Sequence, residues 1–243
     1  MEKPMPTAII TGGAVRIGKA LACHLADQGW NLALNYNSSD PAEALAHAKK
    51  AGVTCKTYPG SLTDLAFAEG LIKQVTEDFN DVQLLINSAA NFIQENVEQT
   101  STQTLVDTMA LNLMSPYLLM REFKKRVGKG MIVNILDERI TKNIPTFAAY
   151  SVSKVALEHA TKLAAVEWGE TVRVNAIAPG LILPPAGKGQ EYLDKNKKNV
   201  PTKTHGDVSD LTRALDYLIA SPFVNGEILF VDGGSSKDRL SQN

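Results

Sequence analysis

Short apolar runs alternate with longer amphipathic stretches along the whole chain. The runs at Thr7–Ile10, Asn31–Tyr36, Thr54–Tyr58, Gln83–Ile86, Met131–Leu136, Arg173–Ile177 and Glu227–Val231 predict seven strands. Several are continuous in Val, Ile, Leu and Ala, which is the pattern of strands covered on both faces. Between them, helical spacing predicts helices over Ile17–Gln28, Ala42–Ala51, Leu65–Phe79, Thr102–Arg126, Phe147–Trp168 and Val208–Ala220. Unbroken β-α alternation argues for an α/β fold, a doubly wound parallel sheet with helices on both faces. With no linker-like segment and no internal repeat, the expectation is a single Rossmann-type domain over residues 1–243. The least regular stretch, Leu181–Asp207, carries Pro184-Pro185, Gly187 and Gly189 and follows a strand end, so it is expected to act as a lid.

Composition narrows the class. A chain of 243 residues with 44% hydrophobic content and a formal net charge of −1 has no general attraction for nucleic acid or anionic membranes. The start, Met1 to Pro6, lacks the apolar stretch of a signal peptide, and no segment is long enough to span a bilayer. Cys23 and Cys55 form no metal-ligand or CxxC pattern, so a cytoplasmic location with buried structural thiols is expected. The four histidines are scattered and there is no GxSxG elbow, which leaves hydrolase and metal chemistry little support.

Two clusters carry candidate chemistry. The first strand runs into Thr11-Gly12-Gly13-Ala14-Val15-Arg16-Ile17-Gly18 and then a helix. Glycines allow a tight turn and close approach of a pyrophosphate, and the helix N-terminus offers unpaired N–H groups. In that strand-turn-helix setting the loop predicts a dinucleotide site. Arg16 could pair with a phosphate; the bland reading is a surface arginine on the first helical turn. After the second strand, where NAD-selective sites usually place an acid, stand Asn37, Ser38 and Ser39. Together these favour NADPH. In the second cluster, Tyr150 and Lys154 are one helical turn apart, so the ammonium can stabilise the phenolate. The pattern alone is common by chance.

The motif set resembles the short-chain dehydrogenase/reductase family over essentially the full length. It comprises Thr11-Gly12 to Gly18, Asn87-Ser88-Ala89, Asn112, Tyr150 with Lys154, Asn175 to Gly180 and Val231 to Gly234, in family order and spacing. The resemblance implies Tyr150 as catalytic acid, Lys154 holding the nicotinamide ribose, and Asn112 supporting a proton relay. It also implies cofactor contacts from Gly12, Arg16, Ile17, Gly18, Asn37, Ser38, Ser39, Ser61, Leu62, Asn87, Ser88, Ala89, Pro179 and Gly180, and a homotetramer or homodimer.

Departures sharpen it. Arg16 replaces the usual glycine, giving TGxxxRxG, and Asp137 replaces the usual catalytic serine after the fifth strand. Both changes resemble pteridine reductases and dihydromonapterin reductases, in which the acid and the tyrosine face the pterin and a phenylalanine matching Phe92 stacks on it. That resemblance implies a substrate site of Arg16, Phe92, Asp137, Tyr150 and Leu181 with no metal. Ala90, Ser38 and Ser61 stand where those relatives or the wider family commonly have serine, arginine and aspartate. The bland reading of Asp137 is a strand-end loop cap, with Glu138 and Arg139 as local charged partners. The leading expectation is an NADPH-dependent reductase of a C=N bond in a dihydropterin or dihydrofolate. A carbonyl or acyl-carrier ketone reductase and a catalytically silent nucleotide-binding subunit stay open as alternatives.

Overall fold

The computed structural model describes residues 5–238. Of the start read for a signal peptide, Met1 to Pro6, the first four residues lie outside the described residues. The strands are β1 (Thr7–Thr11), β2 (Asn31–Tyr36), β3 (Cys55–Pro59), β4 (Val82–Asn87), β5 (Gly130–Ile135), β6 (Val172–Pro179) and β7 (Ile228–Val231). They form one seven-stranded parallel sheet in the order β3-β2-β1-β4-β5-β6-β7. All five residues of β1 are buried, as the continuous apolar pattern requires of a central strand with both faces covered.

The helices are α1 (Arg16–Asp27), α2 (Ala42–Ala51), α3 (Leu65–Asp78), α4 (Thr102–Met109), α5 (Ser115–Arg126), α6 (Ala148–Trp168), α7 (Gln190–Asn196) and α8 (Val208–Ala220). One face of the sheet packs on α3, α5 and α6 through a core that includes Leu71, Ile72, Phe123 and Leu157. The other packs on α1, α2 and α8 through Leu21, Leu25, Leu32 and Leu215. Helix starts follow local chemistry. Asp64 caps α3 by accepting from the Ala66 and Phe67 N–H groups, and Asp207 with Asp210 closes a capping box on α8, each cap contributing about 1 kcal/mol.

Two expectations need correction. The stretch Thr102–Arg126 is not one α-helix, because a π-helical turn at Ala110–Met114 separates α4 from α5. Pro116 explains the break: it has no N–H for the fourth residue back, and its ring would clash with the Asn112 carbonyl in a regular helix. The Ser115 N–H and hydroxyl turn instead to the Ala110 carbonyl, five residues back. The stretch Leu181–Asp207 is also not wholly irregular, since it contains α7, whose Leu193 is buried. Cys23 and Cys55 are free and only partly buried.

The strand order reverses between β1 and β4, which opens a crevice at their C-terminal ends. The Thr11 hydroxyl ties the two sides together. It accepts from the Ser88 N–H at 3.0 Å and the Ala89 N–H at 3.1 Å.

Candidate active site

A cavity of about 810 Å³ runs along this crevice, within the range of small-molecule and cofactor sites. Backbone and small polar groups build one half of it. Gly12, at φ +63°, sits in the left-handed region that favours glycine, and a Cβ there would press on Ala89. A Cβ on Gly18 would collide with the Gly12 carbonyl, so the loop folds tightly against α1 only as glycine. The N-terminus of α1 has no side-chain cap and no carboxylate in its first turn, which leaves its N–H groups facing the cavity for an anion. Asn37, Ser38 and Ser39 from the end of β2, Ser61 and Leu62 from the end of β3, and Ser88 and Ala89 from the end of β4 line the same half. Ile17, Pro179 and Gly180 complete its walls. No carboxylate lines it: Asp137 and Glu138, the two that line the cavity among the described residues, stand at the end of β5.

Arg16 is held at φ +52°, a conformation uncommon for a side chain with a Cβ. Its guanidinium reaches across to donate to the Pro184 carbonyl at 2.9 Å, which links the glycine loop to the segment over the cavity. Leu181, Leu183, Lys188 and Tyr192 of that segment also line it.

Ionisable side chains build the other half. Tyr150, near the start of α6, donates its hydroxyl to Asp137 Oδ2 at 2.9 Å. Asp137 Oδ1 accepts from the Arg139 N–H at 2.8 Å, so the loop-capping role and the contact with Tyr150 coexist in one carboxyl. Lys154 is buried and donates to the Ile135 carbonyl at 2.7 Å. Burial pushes the Asp137 carboxyl upward, opposed by the bonds from Arg139 and Tyr150 and by the Arg139 and Lys154 charges. Burial and the neighbouring Asp137 carboxylate push the Tyr150 phenol well above its ordinary value, which keeps it in the proton-bearing form. Burial brings the Lys154 ammonium down to about 8, with Asp137 opposing.

Phe92 roofs this pair. Its ring stacks on Phe147 with centroids 4.0 Å apart and 12° between planes, and meets Tyr150 edge-on at 4.7 Å. Phe92 lines the cavity and is 42% exposed, so part of a flat apolar ring is open to a bound molecule.

Two predicted residues stand behind the cavity wall. Asn112, fully buried in the π turn, accepts from the Asn91 N–H at 3.0 Å and donates to Asn91 Oδ1 and to Ser153 Oγ. Asn87 is buried at the end of β4 and donates to Asn134 Oδ1 at 2.8 Å, inside the sheet and away from the cavity lining. Asn87 is expected among the cofactor contacts; its side-chain amide links β4 to β5 through Asn134, while its Oδ1 has no hydrogen-bond partner among the described residues.

The family model described as Enoyl-(Acyl carrier protein) reductase matches residues 13–236. The chain belongs to the short-chain dehydrogenase/reductase family. It is thus an oxidoreductase of that family. A dihydromonapterin reductase from Escherichia coli O6:K15:H31 is 30% identical and aligns over 96% of this chain and 97% of its own. A D-threitol dehydrogenase from Mycolicibacterium smegmatis is also 30% identical, over 93% of this chain and 91% of its own. A solved structure of FolM Alternative dihydrofolate reductase 1 from Brucella canis, complexed with NADP, superposes with a TM-score of 0.88. It is 30% identical and covers 96% of this chain and 95% of its own.

Within this short-chain dehydrogenase/reductase, several cavity residues carried no assignment from sequence. Phe147 precedes α6 and stacks on a residue more than fifty positions away; only its place three residues before Tyr150 hinted at the cavity. Asn91 and Ser153 hold the Asn112 side chain, and no motif marks either of them. Tyr192 and Lys188 belong to a stretch with no periodicity to orient them. His159 lies on the exposed face of α6, outside the site.

Proposed function

We propose that the chain is an NADPH-dependent reductase that delivers hydride to a C=N bond of a dihydropterin or dihydrofolate. The observation that carries this reading is the 2.9 Å hydrogen bond from the Tyr150 hydroxyl to Asp137 beside the exposed Phe92 face. Reducing a C=N bond needs hydride on carbon and a proton on nitrogen, and a carboxyl held high by burial is a suitable proton source. The names of the similar dihydromonapterin and dihydrofolate reductases support the substrate class.

The residues fit NADPH. The uncapped α1 N-terminus suits a pyrophosphate, and the carboxylate-free group Asn37, Ser38 and Ser39 suits a ribose bearing a 2′-phosphate. When bound, the cofactor supplies the hydride. The chain's residues then do the remaining work. Tyr150 and Asp137 hold the proton at the reacting edge, and Lys154 keeps positive charge beneath Tyr150 while offering a ribose hydroxyl a donor. Asn112, locked by Asn91 and Ser153, supports resupply of that proton from α4 and α6. Phe92 and Leu181 orient a flat ring, and residues 181–207 close over it as a lid anchored by Arg16 on Pro184. Exposed apolar side chains on α4 to α6, including Val106, Tyr117, Leu163 and Val166, support assembly into a homodimer or homotetramer.

The test is purified enzyme with NADPH and a panel of dihydropterins and simple ketones, followed by loss of reduced cofactor. Turnover of a dihydropterin, with tighter binding of NADPH than NADH by fluorescence titration, is expected. Turnover of ketones alone would overturn the pterin reading. A carbonyl or polyol reading has one specific support, the D-threitol dehydrogenase similar at the same identity. It expects Asp137→Ser to keep or raise activity, whereas the pterin reading expects a severe loss.

A further inference from the structure

Arg139 follows Asp137 by two residues, in the 3-10 turn Glu138–Thr141, and contacts both Asp137 and the Phe92–Phe147 aromatic pair. Its backbone N–H bonds Asp137 Oδ1 at 2.8 Å, and its Nε lies 4.0 Å from the same oxygen. Its guanidinium carbon lies 4.7 Å from the centre of the Phe147 ring and 5.6 Å from that of Phe92. The cation is thus held on the flat aromatic pair that also meets Tyr150. Such a placement fixes the direction of a guanidinium and shields it from water on one side.

We propose that Arg139 is a positioning residue that holds the Asp137 carboxyl against Tyr150 and, through its charge, sets the pH range in which that pair works. The inference rests on Asp137 and Tyr150 being the proton-delivering pair and not on which substrate they serve. The other groups facing Asp137 are already committed. The Lys154 ammonium of α6 is bound to the Ile135 carbonyl, and Glu138 is paired with Lys142 at 2.6 Å. The short turn Ser235–Lys237 packs against the same loop and adds Lys237, whose ammonium sits over the Phe230 ring, followed by Asp238. Arg139 is therefore the cation beside Asp137 that can be removed without touching the Tyr150–Lys154 pair.

An opposite charge within about 4–6 Å lowers a carboxyl pKa by roughly 1–3 units, and partial exposure of Arg139 places the effect at the low end. In Arg139→Met the inflection of kcat against pH that belongs to Asp137 is expected to move upward by about one pH unit. In Arg139→Lys, which keeps the charge, it is expected to stay near the wild-type position. The assay uses whichever substrate the wild-type enzyme reduces, dihydropterin or ketone, so a failed pterin reading leaves this test intact. A second readout needs no substrate: NMR titration of protein labelled at aspartate carboxyl carbons, with the Asp137 signal identified by its loss in Asp137→Asn. The same upward displacement in Arg139→Met supports the proposal. An unmoved or downward inflection in Arg139→Met, or an equal displacement in Arg139→Lys, overturns it.

Discussion

The two halves of the cavity are built from different materials. On the β1–β3 side the walls are glycines, backbone N–H groups and short hydroxyl or amide side chains, with Arg16 the charged exception. On the β5–α6 side they are Asp137, Tyr150 and Lys154, each held by a specific bond and each shifted by burial. A surface made of backbone recognises a constant shape, such as a pyrophosphate, and depends on steric fit. A surface made of buried titratable groups performs proton chemistry and depends on the charge of each group. The first half should therefore fail through binding and stability, the second through turnover.

The largest effect should come from Tyr150→Phe, which keeps the ring but removes the hydroxyl bonded to Asp137. Turnover is expected to fall roughly a thousandfold, with cofactor affinity by titration little changed. A parallel loss of cofactor binding would break the division between the halves. Next, Asp137→Asn should lower kcat on a dihydropterin by about a hundredfold, since an amide can accept from Tyr150 but cannot supply a proton. Full activity in steady-state assays of that variant would show that the carboxyl is only a loop cap. On the other side, Gly18→Ala forces a Cβ onto the Gly12 carbonyl. Denaturant unfolding should show a loss of roughly 2 kcal/mol together with weaker cofactor binding, while kcat at saturating cofactor stays close to normal.

The most discriminating test of stability is Lys154→Met. The folded pKa of Lys154 is about 8 against an ordinary 10.5, so at pH 7 the lysine is charged in both states and burial penalises the folded one. Removing the ammonium should then stabilise the protein by roughly 1–3 kcal/mol after allowing for the lost bond to Ile135, even as turnover collapses. The gain should shrink as pH rises from about 8 toward 10.5, where wild-type Lys154 becomes neutral in both states. Thermal melts across that range would expose a destabilised variant, and with it a lysine that serves the fold more than the chemistry.

Much of this was legible in the residue pattern. The seven strands and their parallel arrangement follow from short apolar runs alternating with amphipathic helices, and the central β1 is continuous because a strand covered on both faces has no polar side to show. The cavity-lining glycines follow from strand-end positions, which the topology gathers at one edge, and the resemblance to pteridine reductases places Asp137 and Tyr150 on a common site, where they are hydrogen-bonded. Other features depend on contacts between distant segments. The Phe92–Phe147 stack, the reach of Arg16 to Pro184 and the inward turn of Asn87 toward Asn134 have no local signature. The π turn was hidden for another reason: helical periodicity continues on both sides of it, and only Pro116 marks the break.

That turn changes how α4 and α5 work together. Closing hydrogen bonds over five residues instead of four inserts one residue into the helix, and each residue rotates the chain by about 100°. The faces of the two helices are therefore out of phase with one another. The α4 face is directed to α6 and, through Thr108, to Asn91 in the loop after β4, while α5 rolls its apolar face onto α3 and the sheet. Asn112 sits at the phase slip itself, a fully buried amide whose oxygen and nitrogen are both hydrogen-bonded, to Asn91 and Ser153.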